Sequence, residues 1–178
     1  MKKLLVVVDM QNDFVTGCLG TKEAQEIVPN VVDLIKNFEG DIWFTRDTHY
    51  DDYLETQEGK KLPVVHCIKD TEGWNIIPEL EPFLNNTRVY IYNKTTFGSV
   101  KLAKDIYKIQ NDVYTKHYDE IYLCGVCTGI CVISNAMLLK ANTPETPIKI
   151  VANACACVTP ESHNIALEAM KTCQIEVI

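Results

Sequence analysis

The sequence contains no apolar run long enough to cross a membrane. Its first apolar run, residues 4–8, follows Lys2 and Lys3 as in a signal peptide, but Asp9 ends the run after five residues. A membrane-spanning helix needs about 20 apolar residues, and the apolar part of a signal peptide about 7–15. We therefore expect a soluble protein that does not bind membranes, with residues 4–8 forming a buried strand.

Positive charge is also scarce. There are 17 Lys and Arg against 24 Asp and Glu, which gives a net charge of -7. Nucleic-acid binding requires clustered Lys and Arg, and no such cluster is present, so this class of function is excluded. The sequence has no internal repeat, low-complexity tract or domain linker, and its 178 residues are 47% hydrophobic. This composition predicts one globular domain, residues 1–178.

Cysteine, in contrast, is plentiful, with eight residues. Without an export signal, a chain of this kind is expected in the reducing cytoplasm, where cysteines remain free thiols. Cys124, Cys127, Cys155 and Cys157 lie in apolar stretches, where cysteine usually acts as a small core residue.

Short β-rich segments alternate with helix-length segments along the chain. The predicted strands are residues 4–8, 41–45, 89–92, 121–124, 148–151 and 175–177, and the predicted helices are residues 28–38, 100–109, 131–141 and 160–173. Apolar strands separated by crossover helices indicate a parallel sheet covered on both faces. The sequence therefore predicts an α/β fold, a three-layer α/β/α arrangement around a six-stranded, mostly parallel sheet.

Polar or nucleophilic residues follow four of the predicted strands. Asp9 follows the first strand, Asp47 the second and Lys94 the third, and residues 127–131 follow the fourth. Sites in parallel sheets lie beyond the carboxyl ends of the strands, so we expect these groups to converge there. The long segment of residues 48–84 lacks clear periodicity, and we expect it to wrap over the site.

Cys131 is the candidate nucleophile. It lies where a strand leads through a glycine-containing turn into a helix, and the helix dipole and free backbone N–H groups there favour a thiolate. A lone cysteine in such a segment is more often a buried structural thiol. Asp9 and Lys94 change this balance, because an ammonium group beside the sulfur would stabilise the thiolate and a carboxylate could exchange protons with it.

A second group of residues has the composition of a metal site. Asp47 and His49 are two residues apart in a strand-end segment, and His66 follows further along the chain. Lone histidines are more often surface or capping residues. Together, however, these three form a mixed nitrogen and oxygen set suited to zinc or another divalent ion.

Three motifs resemble those of a known family. They are Val-Asp-Met-Gln-Asn-Asp-Phe at residues 8–14, Asn-Lys-Thr-Thr-Phe-Gly-Ser at 93–99 and Gly-Val-Cys-Thr-Gly-Ile-Cys-Val at 125–132. In this order and spacing, the chain resembles the isochorismatase-like cysteine hydrolases, and within them the nicotinamidases. The resemblance covers essentially the whole sequence.

The resemblance implies roles for individual residues. It implies a catalytic triad of Asp9, Lys94 and Cys131, and a cis peptide bond between Val126 and Cys127, with the backbone N–H groups of Cys127 and Cys131 forming an oxyanion hole. It also implies a divalent metal, zinc above all, bound by Asp47, His49 and His66, with Glu58 as a fourth ligand in some relatives. Phe14, Trp74 and Phe97 are candidates for the walls of a flat substrate pocket, although each could equally pack in the core. His163 is assigned a structural role and His117 a surface position.

The activity implied is hydrolysis of nicotinamide to nicotinate and ammonia through a thioester on Cys131, by a protein that forms homo-oligomers. Hydrolysis of another small amide or ureido compound is the alternative within the family. Isochorismatase activity itself is less expected, because cleavage of a vinyl ether does not need the cysteine. A non-catalytic metal or thiol-redox module is the alternative from another class, but the Cys124 and Cys127 pair lies at a strand end, unlike a thioredoxin-type motif. The third alternative is a non-catalytic scaffold that retains the fold but not the activity.

The chain departs from the family pattern at three positions. Gly129 replaces a common acidic residue, Cys127 a common alanine, and Asn153 a common aspartate. None of these is a member of the implied triad. Contacts that depend on the missing charges are therefore in question, and substrate choice with them.

Overall fold

A central sheet of six parallel strands organises the chain in the computed structural model, which describes residues 1–85 and 89–178. The strands are β1 (Lys3–Val8), β2 (Asp41–Asp47), β3 (Val89–Lys94), β4 (Glu120–Val126), β5 (Ile148–Ala156) and β6 (Glu176–Val177), in the spatial order β3-β2-β1-β4-β5-β6. Every neighbouring pair is parallel. The predicted α/β fold and strand number are confirmed.

Helices connect the strands and flank the sheet. They are α1 (Asn12–Val15), α2 (Lys22–Glu26), α3 (Val28–Asn37), α4 (Gln57–Lys61), α5 (Glu81–Leu84), α6 (Val100–Asn111), α7 (Ile133–Asn142) and α8 (Pro160–Thr172). Helix α2 contacts α1 and α3, and α7 contacts α6 and α8. Within the described residues, no helix has both the length and the apolar character that a membrane span requires.

Strand β1 explains how the fold builds a site. Its residues Leu4 to Val8 are all 0% exposed, because β2 and β4 pair with its two edges and helices cover its faces. This environment accounts for the unbroken apolar run. The run ends at the edge of the sheet where β2, β3 and β4 also end, so the residues that follow these strands are neighbours in space.

Two boundaries differ from the prediction by more than two residues. Strand β5 continues to Ala156, past a bulge opposite Leu123 and Gly125 of β4, although its final residues include Ala and Asn, which are depleted in strands. The helix predicted for residues 131–141 starts earlier, with a π-helical turn at Thr128–Val132 that leads into α7. Such turns are short and rare and have no compositional signature.

Candidate active site

Lys94 lies at the centre of the side chains that meet at the carboxyl ends of β1 to β4. Its Nζ atom is 2.6 Å from Asp9 Oδ2 and 3.6 Å from Cys131 Sγ. Asp47 Oδ1 is a third neighbour, at 3.3 Å. Lys94 and Cys131 are 5% and 6% exposed, and Asp9 is fully buried. The structure thus brings the three predicted catalytic side chains into one group that is shielded from water.

The carboxylate of Asp9 is held by Thr45. The Thr45 hydroxyl donates a hydrogen bond to Asp9 Oδ1 at 2.7 Å, and the Asp9 backbone N–H donates to the Thr45 carbonyl at 3.2 Å. Burial raises the pKa of Asp9, and Asp47 raises it further, against the lowering effect of Lys94. A carboxyl group in such a setting can take up and return a proton nearer neutral pH than a free aspartate can.

Lys94 remains positively charged in this group. Burial alone would lower the pKa of Lys94, but its electrostatic interactions with Asp9, Cys131 and Asp47 outweigh burial and raise it above its ordinary value. The side chain is therefore a fixed cation, and it is unsuited to act as a base.

Cys131 lies in the π-helical turn that follows β4, and the peptide bond between Val126 and Cys127 is cis, as predicted. Burial raises the pKa of Cys131 well above its ordinary value, and the nearby charge of Asp9 adds to this effect although Lys94 opposes it. The sulfur accepts a hydrogen bond from the Lys94 amine at 3.6 Å. In the free protein, burial thus favours the neutral thiol and opposes the thiolate that the helix end and the ammonium group are expected to stabilise. Loss of hydration destabilises the thiolate more than the positive charge of Lys94 stabilises it.

The predicted metal ligands form a compact group beside Lys94. One donor atom from each of Asp47, His49, Glu58 and His66 lies within 4.8 Å of all the others. Asp47 Oδ2 is 3.0 Å from His49 Nε2 and 3.7 Å from His66 Nε2, and Glu58 Oε1 is 3.7 Å from His49 Nε2. Glu58, expected on an exposed loop, lies on α4 and is partly buried. The structure thus places all four together.

The state of the two imidazoles fits a divalent cation. His66 Nδ1 is 2.7 Å from the Val64 carbonyl, so Nδ1 carries the hydrogen and Nε2 is left as a lone-pair donor. His49 Nε2 is buried and makes no hydrogen bond within the described part of the chain, although Asp47 is near. A buried nitrogen without a hydrogen bond is costly unless another group binds it. Mixed imidazole and carboxylate donors suit zinc and similar divalent ions.

Gln11 is a structural residue of this site that the sequence analysis missed. Its Nε2 group donates to the carbonyl oxygens of Asp47 and Trp74, each at 2.9 Å, and its Oε1 atom accepts a hydrogen bond from the Asp47 N–H at 2.6 Å. The side chain is fully buried. A polar amide three residues after the end of a buried strand was the available signal, because such a group must find partners.

An open cavity of about 670 Å³ borders the group of metal-binding donors at His49 and Glu58 and reaches solvent. Its walls include His49, Glu58, Phe97 and Ile130, so residues from the long segment 48–84 do cover the site. The volume lies within the range of about 300–1,000 Å³ that is usual for small-molecule pockets. Phe97 is 46% exposed and presents a flat apolar surface to the cavity.

The other two predicted pocket residues have different positions. The Phe14 ring packs against His66, with 5.5 Å between ring centroids. Trp74 does not line the cavity. Its Nε1 group donates to the Thr48 hydroxyl at 2.8 Å, and the guanidinium carbon of Arg46 lies 3.3 Å from its ring centroid. Trp74 is thus a packing residue beneath Arg46, because these two polar partners fix its ring away from the opening.

Both remaining histidines lie outside the cavity. His163 on α8 is hydrogen-bonded through Nδ1 to the Thr128 hydroxyl at 2.8 Å, and so supports the first residue of the π-helical turn. His117 is exposed, with Nε2 2.9 Å from the Asp112 carbonyl oxygen. All eight cysteines are free thiols.

Comparison with known proteins gives a consistent result over the full length of the chain. The sequence profile of the isochorismatase domain matches residues 3–178. The nicotinamidase of Saccharomyces cerevisiae is 27% identical, and the match covers 99% of each chain.

Solved structures give the same picture. The chain resembles the crystal structure of a nicotinamidase/pyrazinamidase from Bacillus subtilis with a TM-score of 0.84 and 28% identity, over 99% of each chain. It also resembles a pyrazinamidase of Pyrococcus horikoshii in complex with zinc, with a TM-score of 0.81 and 25% identity, over 100% of this chain and 99% of that one.

Proposed function

The chain belongs to the isochorismatase family, and from this premise we propose that it hydrolyses nicotinamide to nicotinate and ammonia, with Cys131 as the nucleophile. One observation carries the proposal. The buried amine of Lys94 contacts Asp9, Cys131 and Asp47, so a thiol with its acid-base partner directly adjoins a set of metal-binding donors. The names of the relatives support an amide with a pyridine-type ring as substrate.

The first step uses the neutral thiol. As the sulfur of Cys131 attacks the carboxamide carbon, its proton passes to Asp9, which contacts the same Lys94 amine as the thiol. The carbon–oxygen double bond opens, and the negative charge develops on oxygen. We assign its stabilisation to the backbone N–H groups of Cys127 and Cys131. Lys94, already cationic, offsets the negative charge that develops on the sulfur as its proton moves to Asp9.

The second half of the cycle reverses the role of Asp9. Asp9 gives its proton to the departing nitrogen, so the carbon–nitrogen bond breaks, ammonia leaves and a thioester remains on Cys131. Asp9 then takes a proton from a water molecule that attacks the thioester carbon. Cleavage of the carbon–sulfur bond returns the proton to the sulfur and releases the acid. The raised pKa of Asp9 suits both proton transfers.

The metal, for which we propose zinc, would be held by Asp47, His49, His66 and Glu58. When bound, a divalent ion supplies a Lewis-acidic coordination site for the ring nitrogen of the substrate and so orients the amide. Phe97 would provide a flat apolar wall for the ring. The free state of all eight thiols supports a reducing compartment, the cytoplasm. By family likeness alone, we also assign a homo-oligomeric state.

Ammonia release tests the proposal. Purified protein loaded with zinc is given nicotinamide, benzamide as a matched amide without the ring nitrogen, and N-carbamoyl glycine as a ureido compound. We expect turnover of nicotinamide well above the other two, loss of turnover in Cys131→Ala, and loss after chelation that added zinc reverses. Failure of nicotinamide to react with zinc, manganese or iron bound would contradict the proposal, as would an active Cys131→Ala variant.

A further inference from the structure

The side-chain amide of Asn135 joins two segments of the site. Its Oδ1 atom accepts a hydrogen bond from the Ser99 backbone N–H at 2.9 Å, and its Nδ2 group donates to the Cys131 carbonyl oxygen at 2.8 Å and, over a longer 3.4 Å, to the Phe97 carbonyl oxygen. Asn135 lies on α7 and is 1% exposed. In this buried environment, water cannot readily replace these hydrogen bonds.

Each segment carries a member of the group around Lys94. Ser99 ends the short loop that follows Lys94, and its hydroxyl caps α6 by accepting a hydrogen bond from the Leu102 N–H at 3.2 Å. Cys131 lies in the π-helical turn that precedes α7. The amide of Asn135 is therefore a direct bridge between the loop that follows the amine and the turn that carries the sulfur.

Gly98 in this loop packs closely against α7. A Cβ atom at Gly98 would lie 2.7 Å from Leu138 Cδ1 and 3.0 Å from the Ser134 backbone oxygen. The loop thus presses directly on α7 one residue before the hydrogen bond from Ser99. Packing and hydrogen bonding act on the same contact between loop and helix.

We propose that Asn135 is a positioning residue, which fixes the loop following Lys94 against the turn of Cys131 and so sets the separation of amine and sulfur. The inference rests on the proposed function only in taking these two groups as partners in the reaction. Asn135 makes no contact with the reacting atoms. It acts through the backbone groups to which its amide is hydrogen-bonded.

The separation matters because the amine is the cation nearest to the thiol, at 3.6 Å. The Coulomb interaction between an ammonium group and the developing thiolate weakens with distance, and misplacement of a reacting group by about 1 Å can cost about 100-fold in rate. A relaxed contact between loop and helix should therefore slow both catalysis and the intrinsic reactivity of the sulfur.

Asn135→Leu removes all three side-chain hydrogen bonds of Asn135 at similar volume, and α7 provides a matched control. Asn142 lies on the same helix, and its Nδ2 group donates to the Leu138 carbonyl at 2.8 Å, the same spacing along the helix as between Asn135 and Cys131. Asn142→Leu thus removes an equivalent helix bond away from the site. Two quantities are measured in each variant: kcat with nicotinamide, and the rate at which iodoacetamide alkylates Cys131 in substrate-free protein, followed by peptide mass spectrometry with exposed Cys18 as internal reference.

We expect Asn135→Leu to lower kcat by about 10- to 100-fold and to slow Cys131 alkylation relative to Cys18, whereas Asn142→Leu changes both by less than about twofold. Asn135→Asp keeps an acceptor for Ser99 but loses the donor to Cys131. Its kcat and its rate of Cys131 alkylation should lie between those of Asn135→Leu and Asn142→Leu. If Asn135→Leu does not fold, Asn135→Asp and Gly98→Ala, which pushes the loop off α7, carry the same test. Equal kcat and equal alkylation in the Asn135 and Asn142 variants would overturn the proposal. Alkylation needs no substrate, so an inactive wild type would refute the proposed function and leave this test intact.

Discussion

The amine of Lys94 lies 2.6 Å from the carboxylate of Asp9, and both side chains are almost completely buried. In such a pair, attraction compensates for the loss of hydration that each charge suffers, so neither charge is stable without the other. Removal of one partner should therefore destabilise the protein more than removal of both.

Lys94→Met should destabilise the protein by about 3–5 kcal/mol, because the carboxylate of Asp9 is left buried without a cation. The double variant Asp9→Asn, Lys94→Met should recover most of this loss while remaining inactive. Urea unfolding measures the stability, and ammonia release from nicotinamide measures the activity. A double variant as unstable as Lys94→Met would show that the ion pair is not the source of the loss.

Alkylation of Cys131 should depend steeply on pH. Burial raises the pKa of the Cys131 thiol, so the neutral form predominates at pH 7 and the reactive thiolate increases as pH rises towards that pKa. The rate with iodoacetamide in the free protein should therefore rise by nearly tenfold per pH unit between about pH 7 and about pH 9. Peptide mass spectrometry follows the reaction, and Cys131→Ala confirms the assignment. A rate that stays constant over this range would indicate a thiolate already formed, against the structure.

Substitution of the grouped histidines should weaken metal binding. His49→Ala or His66→Ala removes one donor from the group, and zinc affinity by calorimetry should fall by at least the roughly 10- to 100-fold typical even of residues that only support a metal site. Glu58→Gln should have a smaller effect, because this side chain is partly exposed at the edge of the group. His117→Ala, at the surface, is the control. Equal zinc affinity in His49→Ala and His117→Ala would remove His49 from the ligand set.

Gln11→Ala should damage both stability and metal affinity. It leaves the backbone N–H and carbonyl of Asp47 without their partner, and each unsatisfied buried group costs about 1–3 kcal/mol. Zinc affinity should fall by about tenfold because Asp47 is less firmly oriented. Gln25→Ala, which loses one hydrogen bond to the Val15 carbonyl away from the site, serves for comparison. Thermal unfolding with and without zinc separates the two effects, and an unchanged zinc-induced rise in Tm would contradict a role in metal binding.

Asp9, Lys94 and Asp47 could be placed together from the sequence because each follows an apolar strand, and parallel strands end at one edge of a sheet. The protonation state of Cys131 could not be obtained in the same way. It depends on how completely water is excluded, which the surrounding loops and helices determine jointly. The local sequence shows only the helix end and the cation, and both of these favour the thiolate.

The two aromatic residues Trp74 and Phe97 illustrate a second limit. A ring is equally suited to a pocket wall and to a core, so composition cannot distinguish the two roles. For Trp74 the outcome depends on Arg46 and Thr48, two residues more than twenty positions earlier in the chain. For Phe97 it depends on the short loop at Gly98, which packs so closely on α7 that the adjacent ring faces the cavity.

The position of β1 in the sheet has a consequence for biosynthesis. Its neighbours are β2 on one side and β4 on the other, and the acid, Asp9, and the amine, Lys94, precede β4 in the chain, whereas the sulfur of Cys131 follows it. A nascent polypeptide that has emerged only as far as β3 contains the proton carrier and its counter-ion but no nucleophile. Reactivity can therefore arise only when β4 docks on the free edge of β1, after the ribosome has made most of the protein.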